Sequence, residues 1–515
     1  KNFNDRHDLS VMVGTSHESE NYDRFTAKRI NFDQQENMSL QLGSAQDQNA
    51  WSEGNQWTIN SFFSRVNYTF ANKYVIEGTI RADGRSRFDP DHRWGWFPGV
   101  NAAWRVGEEG FMKRLGWFED LKVRASYGEM GNQSGIGLYD YIQLISLSND
   151  YYPFGTGVKG QMATSGNIIS TSRTWETIQT TNVGFDFSTL NNRLYGSFDY
   201  FWKENKNMLI PKTYPSMLGA DAPSTNSGHL SIHGWEISLG WRDQIKDFSY
   251  SVRFNISDAK NKVVDRVGSN LIKLGNNETP TGYPLNSYFG YEFDGIIQNE
   301  QELEAYKSRF SEGGIPGDLS VGDAMYKDLD GDGKLSVLGD GKEGSGDVKY
   351  LGDKNPRYNF GFNLSMAWKG FDLSAFIQGV GRRTMFLEGE SRCPMPEAWY
   401  QSAEYWYGKT WTPERTDAQY PAITLKDKRN YNYYVSTNTK FNVAYARLKN
   451  LQFGYTIPQT LTSKAGLQKV RVYFSGEDLF EVHNTPNGWD PEENSGSITS
   501  YPFTRNYSFG INVVF

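Results

Sequence analysis

Apolar and polar residues alternate along much of this chain, most clearly at its carboxyl end. Within 507–515, Tyr507, Phe509, Ile511, Val513 and Phe515 share one face, because successive strand side chains point to opposite sides of a sheet. Ser508, Gly510 and Asn512 share the other, with Val514 the exception. A soluble sheet rarely ends on an exposed aromatic row, whereas the last strand of a membrane barrel turns such a row to lipid. The pattern recurs upstream. Phe62, Val66, Tyr68 and Phe70 oppose Arg65, Asn67 and Thr69, and Leu121, Val123, Ala125 and Tyr127 oppose Lys122, Arg124 and Ser126. Phe248, Tyr250, Val252, Phe254 and Ile256 form a row against Ser249, Ser251, Arg253, Asn255 and Ser257. Two more rows are Phe360, Phe362, Leu364, Met366, Trp368 and Phe371, Leu373, Ala375, Ile377.

The spacing of these rows separates two classes of connection. Short ones fall at 71–73, 190–192, 243–247 and 369–370, with somewhat longer ones at 107–117 and 457–467. They draw on Gly, Asn and Asp, which tolerate turn geometry. Long segments at 130–176, 206–228, 259–356, 382–440 and 481–502 lie between them. Short and long connections that alternate in this way predict an all-β, transmembrane antiparallel up-and-down β-barrel, with about 14 strands in this chain. Aromatics near strand ends (Trp94, Trp96, Trp104, Trp117, Trp202, Trp368) fit interfacial girdles.

Composition narrows the picture. The mean hydropathy of −0.65 is compatible with a barrel, since half of each strand faces a polar lumen. No run approaches the apolar length of a membrane-spanning helix. A net charge of −7, without a basic stripe, argues against nucleic-acid binding. The single cysteine, Cys393, precludes an internal disulfide framework. The chain opens directly into strand-like sequence without Met or a leader, which reads as a segment whose beginning lies elsewhere.

Candidate chemistry is sparse. Asp328, Asp330 and Asp332 occupy calcium-loop positions one, three and five, with Gly333 at six and the Lys334 carbonyl at seven. Gly339 replaces the bidentate Glu of position twelve, and Asp340 follows it. A structural Ca2+ in an outer loop is the expectation, against a plain solvated turn. Trp399, Tyr400, Tyr405, Trp406, Tyr407 and Trp411 crowd one loop. Such rings can stack on sugar faces, anchor a partner protein, or pack the loop itself. The acidic residues Asp490, Glu492 and Glu493 read as a solvated loop. Six scattered histidines and the absence of a Gly-x-Ser-x-Gly elbow argue against an enzyme, and no catalytic residue is assigned.

Many short segments, in order, resemble the SusC/RagA family of TonB-dependent outer-membrane transporters. They include 74–84 followed by Ser86-Arg87-Phe88, then 94–98, 121–128, Trp175-Glu176-Thr177, Tyr288-Phe289-Gly290-Tyr291 and Asp294-Gly295-Ile296. The acidic turn 328–333, then 370–373, 446–451, 476–480, Asp490-Pro491-Glu492 and the final strand complete the series. The resemblance implies a barrel of about 22 strands, with a plug and a TonB-contacting segment upstream. This chain, 1–515, would then be the carboxyl-terminal barrel region, multi-pass in the outer membrane among lipid or lipopolysaccharide. It further implies a SusD-like surface lipoprotein as a lid, energy from TonB, and import of oligosaccharides. Oligopeptide import on the same fold, or a passive porin or adhesive barrel, are the competing readings.

Overall fold

The computed structural model describes residues 2–515 apart from 5, 34–35, 37, 47, 149–152, 155–157, 160–161, 167, 212–216, 218–222, 267–274, 279, 338–345, 397–400, 425–426, 494–500 and 502. Fourteen long strands dominate it: β1 (His7–Lys28), β2 (Asn49–Phe70), β3 (Tyr74–Arg85), β4 (Trp94–Arg105), β5 (Asp120–Asn132), β6 (Glu176–Thr189) and β7 (Leu194–Pro211), then β8 (Ser224–Ile245), β9 (Phe248–Asp265), β10 (Arg357–Trp368), β11 (Phe371–Arg382), β12 (Tyr445–Thr456), β13 (Lys469–His483) and β14 (Asn506–Val514). They hydrogen-bond in chain order in one sheet, which the two-residue strand Asn2–Phe3 extends beside β1. This is the expected up-and-down meander, present as an open run rather than a closed ring among the described residues.

Two compact units are distinguishable, residues 1–103, 126–181 and 204–229 in one, and 104–125, 182–203 and 230–515 in the other. In the second, the predicted rows join into continuous bands. Tyr250 pairs with Met366, Met366 with Leu373, Leu373 with Phe453, Phe453 with Phe474 and Phe474 with Phe509. Alongside runs Phe248, Trp368, Phe371, Tyr455, Val472 and Ile511. In the first unit, Leu9, Tyr68 and Ile76 align, as do Val13, Ser64 and Ile80. Among the described residues no second layer covers these rows, and Val13 (78%) and Phe509 (84%) remain largely exposed. Rows left bare on one side are what a lipid-facing wall requires.

The opposite face is polar and ionically cross-linked. Glu77 accepts from Asn67 and Asn101 at 3.1 Å each and pairs with Arg65. In the other unit Arg124 bridges Asp186 and Asp199. The strands also outrun the membrane. A transmembrane strand needs about 9–11 residues, yet β1 and β2 have 22 each. The distal part of β1, His17–Lys28, is mostly polar, with Tyr22 and Phe25 the aromatic exceptions.

Turns follow local chemistry, with one departure. Ala71 (φ 50°), Leu190 (φ 57°), Lys246 (φ 54°) and Lys369 (φ 46°) take left-handed backbone alongside the expected Asn and Gly. At 246–247 and 369–370 the hairpin loop has two residues and needs that twist whatever residue stands there. Connection length is also less regular than expected: 86–93, on the long side of the alternation, is shorter than 106–119 on the short side.

Phe362→Arg, on the apolar face of β10, should cost about 2–4 kcal/mol if it lies near the bilayer midplane. Asn363→Arg, its neighbour on the polar face, should cost far less. Urea unfolding of the intact receptor in liposomes distinguishes them; equal costs would contradict the assignment of faces.

Candidate functional site

The long segments 259–356 and 382–440 fold together. Residues Ser287–Tyr291 pair with Val348–Asp353, and Phe293–Ile296 with Ala324–Tyr326. Helix α1 (Glu300–Arg309) lies between them. Its start is capped reciprocally, Asn299 accepting from the Glu302 N–H at 2.9 Å while Glu302 accepts from the Gln298 N–H at 2.9 Å. Leu303, Tyr306 and Phe310 then turn into a buried cluster with Ile297, Leu319, Tyr326, Leu335 and Tyr431.

Buried polar groups stitch the two segments. Tyr306 and Tyr431 share a hydroxyl hydrogen bond of 2.7 Å, and Tyr306 Oη accepts from the Tyr326 N–H. Asn432 Oδ1 accepts from the Ala324 N–H at 3.0 Å while its Nδ2 donates to Asp323 at 2.9 Å. Burial without partners would be costly, so these bonds fix one arrangement. Close approach does the rest. A side chain at Gly290 would lie 2.2 Å from the Val435 carbonyl oxygen.

The aromatic loop divides on burial. Trp399 and Tyr400 lie outside the described residues. Trp406, 3% exposed, is packed edge-on against Tyr420 and Tyr433. Tyr405 shares a 2.6 Å hydroxyl bond with Tyr420 and abuts Trp489. Trp411 donates to Gln298 at 3.1 Å and covers Gly322, where a Cβ would come within 2.6 Å of its ring. The expectation of a ligand or lid contact is therefore corrected for Trp406, whose ring the loop's own core consumes. Tyr407, 90% exposed, keeps a free ring face.

The acidic turn does gather its carboxylates. Ligand oxygens of Asp328, Asp330 and Asp332 lie within 4.8 Å of one another. Asp328 accepts from the Gly331 and Gly333 N–H groups, and Asp332 from the Lys334 N–H. Asp340 lies outside the described residues. Sequence reading passed over Asp347, a buried carboxylate that accepts from the Leu329 N–H at 2.6 Å and the Ser336 N–H at 2.8 Å. Burial pushes its pKa up, helped by Asp330 and Asp328 and opposed by the two N–H donors. Among the described residues, Asp328, Asp330 and Asp332 form the acidic group that could hold a hard cation.

Asp490 and Glu492 are not a solvated loop. Arg447, its side chain inaccessible, pairs with Glu481 (2.8 Å), Asp490 (2.7 Å) and Glu492 (3.1 Å). Lys449 adds Asp478 and Glu492. An arginine so buried needs several acceptors, and two segments remote in sequence supply them, one with Glu481 and one with Asp490 and Glu492. In the other unit, Trp175 closes on Phe88 and Phe97 and donates to the Arg93 carbonyl at 2.9 Å.

Residues 1–479 match the model of the TonB dependent receptor-like, beta-barrel family. The chain belongs to that family. Its SusC/RagA-like character shows in its relatives. It is 31% identical to TonB-dependent receptor P3 of Formosa agariphila, over 99% of this chain and 51% of that protein. It is 27% identical to TonB-dependent receptor SusC of Bacteroides thetaiotaomicron, over 91% and 45%. Among solved structures, the RagAB peptide transporter superposes with a TM-score of 0.81 at 23% identity, over 99% of this chain and 54% of that one. The chain thus spans about half the length of these relatives. Family members reside in the outer membrane, and no described helix is long and apolar enough to cross a membrane.

The loop body carries its own pH sensitivity. Glu292 accepts from Lys327 at 2.8 Å and from Lys349, which lowers its pKa from 4.5 to about 2. A depressed carboxylate stabilises the fold above its unfolded pKa, and that contribution vanishes as pH falls through the folded value. Glu292→Gln should flatten the decline of loop-body stability between about pH 4.5 and 2. Hydrogen exchange of 287–296 across that range checks it; an unaltered pH profile would discount the ion pairs.

Proposed function

We propose that this chain is the carboxyl-terminal barrel wall and outer loops of a TonB-dependent importer of oligosaccharides, without catalytic function. What supports the reading is the combination of an apolar band with a folded loop body at the long-connection end of the same strands. A wall of this kind resists deformation because each interior strand is hydrogen-bonded on both sides. Large barrels enclose space that side chains cannot fill. Solute would meet the loop body first, with Tyr407 presenting one exposed ring for stacking. An upstream plug would block the lumen until TonB, driven by the inner-membrane proton gradient, displaced it. A SusD-like lipoprotein would close over the loops, and the full barrel would have about 22 strands.

Oligopeptide import is the second reading, favoured by the fold shared with the RagAB peptide transporter. Radiolabelled oligomer uptake decides among the classes. Deleting the partner lipoprotein, or collapsing the proton gradient, should abolish uptake of the cognate oligosaccharide. Uptake that survives both would point to a porin, and uptake confined to peptides would replace the sugar assignment.

We also propose that the turn at Asp328, Asp330 and Asp332 holds a Ca2+ that stiffens the loop body. Sites of this exposed kind bind in the range of about 10⁻⁴–10⁻³ M. Calcium should raise hydrogen-exchange protection of 324–337 in the intact receptor, and Asp330→Asn should remove that gain. Identical protection with calcium and with chelator would refute the site.

A further inference from the structure

Lys260 on β9, Arg357 on β10, Arg382 on β11 and the adjoining Arg383 line a cavity of about 270 Å³. Arg357 and Arg382 stand directly opposite each other across the strand pair. Like charges so placed ordinarily destabilise a sheet, and the chain as a whole has a net charge of −7. The local excess of cations therefore runs against the overall composition.

The carboxylates nearby offset only part of it, Asp258 pairing with Arg357 and Asp353 facing the remaining Lys260, Arg382 and Arg383. Asp353, the one carboxylate among the lining residues, is engaged by the Tyr350 hydroxyl (2.7 Å) and by Asn355 Nδ2 (2.8 Å). Asp258 is bound in a fork by Arg357 Nε and Nη2. Among the described residues, neither Lys260 nor Arg382 has an ion-pair partner within 4.0 Å. Lys440, outside the strands, has its pKa lowered by burial first and then by the charges of Arg382 and Lys349. A guanidinium fork beside an ammonium group suits a planar or tetrahedral oxyanion. The walls also carry the neutral polar side chains of Asn261 and Thr384.

We propose that this cavity is a subsite for an acidic group, a carboxylate or a sulfate ester, on the imported oligomer. It rests on the importer reading for its biological role but is tested by binding alone. The probes are tetragalacturonate, a sulfated galactotetraose, neutral galactotetraose and an acidic tetrapeptide. Each is titrated by calorimetry against the intact receptor in detergent. At low salt at least one anionic sugar should bind about tenfold more tightly than the neutral one. Salt should erode that advantage. The double variant Lys260→Gln, Arg382→Gln should abolish the advantage and leave the neutral affinity unchanged. Arg382→Lys should keep part of it, which separates lost charge from lost folding. Preference for the uronate or for the sulfated probe identifies the group. Equal affinities for charged and neutral sugars, or an advantage untouched by the double variant, overturn the subsite. Binding of the acidic peptide alone, removed by the double variant, upholds the subsite and instead sinks the oligosaccharide reading.

Discussion

Backbone amides and carbonyls find no water in hydrocarbon, so a strand can cross a membrane only if its ladder is continuous. That constraint organises everything else in this chain. It requires each long strand to pair along its length, as β1 and β2 do from His7–Phe70 to Lys28–Asn49. Once pairing is complete, register is locked, because a slip of one residue would exchange the lipid and lumen faces. Interruptions are therefore best tolerated where water or folded loop can satisfy the backbone. The register shift between Leu448 and Asn450 lies near the loop end of β12, and the matching one between Phe376 and Ile377 lies at the middle of β11.

Outside the hydrocarbon the rule changes from pairing to packing. Segments as long as 259–356 and 382–440 would lose much conformational entropy if ordered separately. Each completes the other's core, with Tyr431 entering the cluster built around α1. Parallel exchanges of backbone bonds, Tyr291 N–H to Val435 and Thr437 N–H to Tyr291, hold the join. A loop body of this kind can present a surface without being a flexible lid.

Legibility in the sequence followed the same division. Period-two rows survive translation into structure because lipid exposure leaves hydrophobicity as the main determinant on that face. The rows through Phe254, Phe362 and Ile377 met as read. Loop interiors obey no such period, and α1 went unread although Asn299 and Glu302 form a capping box ahead of Leu303 and Tyr306. The aromatic run 399–411 was left open for a related reason: a large ring is equally suited to a sugar face and to a core, and at Trp406 only partners such as Tyr420 and Tyr433 decide. Acidity misled at Asp490 because its counter-charge, Arg447, lies 43 residues away.

Several of the short motifs that carry the family resemblance acquire a common meaning in the structure. Arg447 and Lys449 meet Asp478, Glu481, Asp490 and Glu492, and Trp175 meets Phe88. Tyr288-Phe289-Gly290-Tyr291 threads beside Val435. These are fastenings between strands and loops rather than ligand groups. A junction held this firmly transmits its geometry to whatever lines it, and the cations at 260 and 382 sit at such a junction, on strand ends instead of loop tips. Groups on strand ends are positioned by the ladder itself, which makes them better placed to discriminate charge than an exposed ring such as Tyr407. Chemical selectivity in this chain is thus expected where the wall meets the loops, and the loop tips are left to vary.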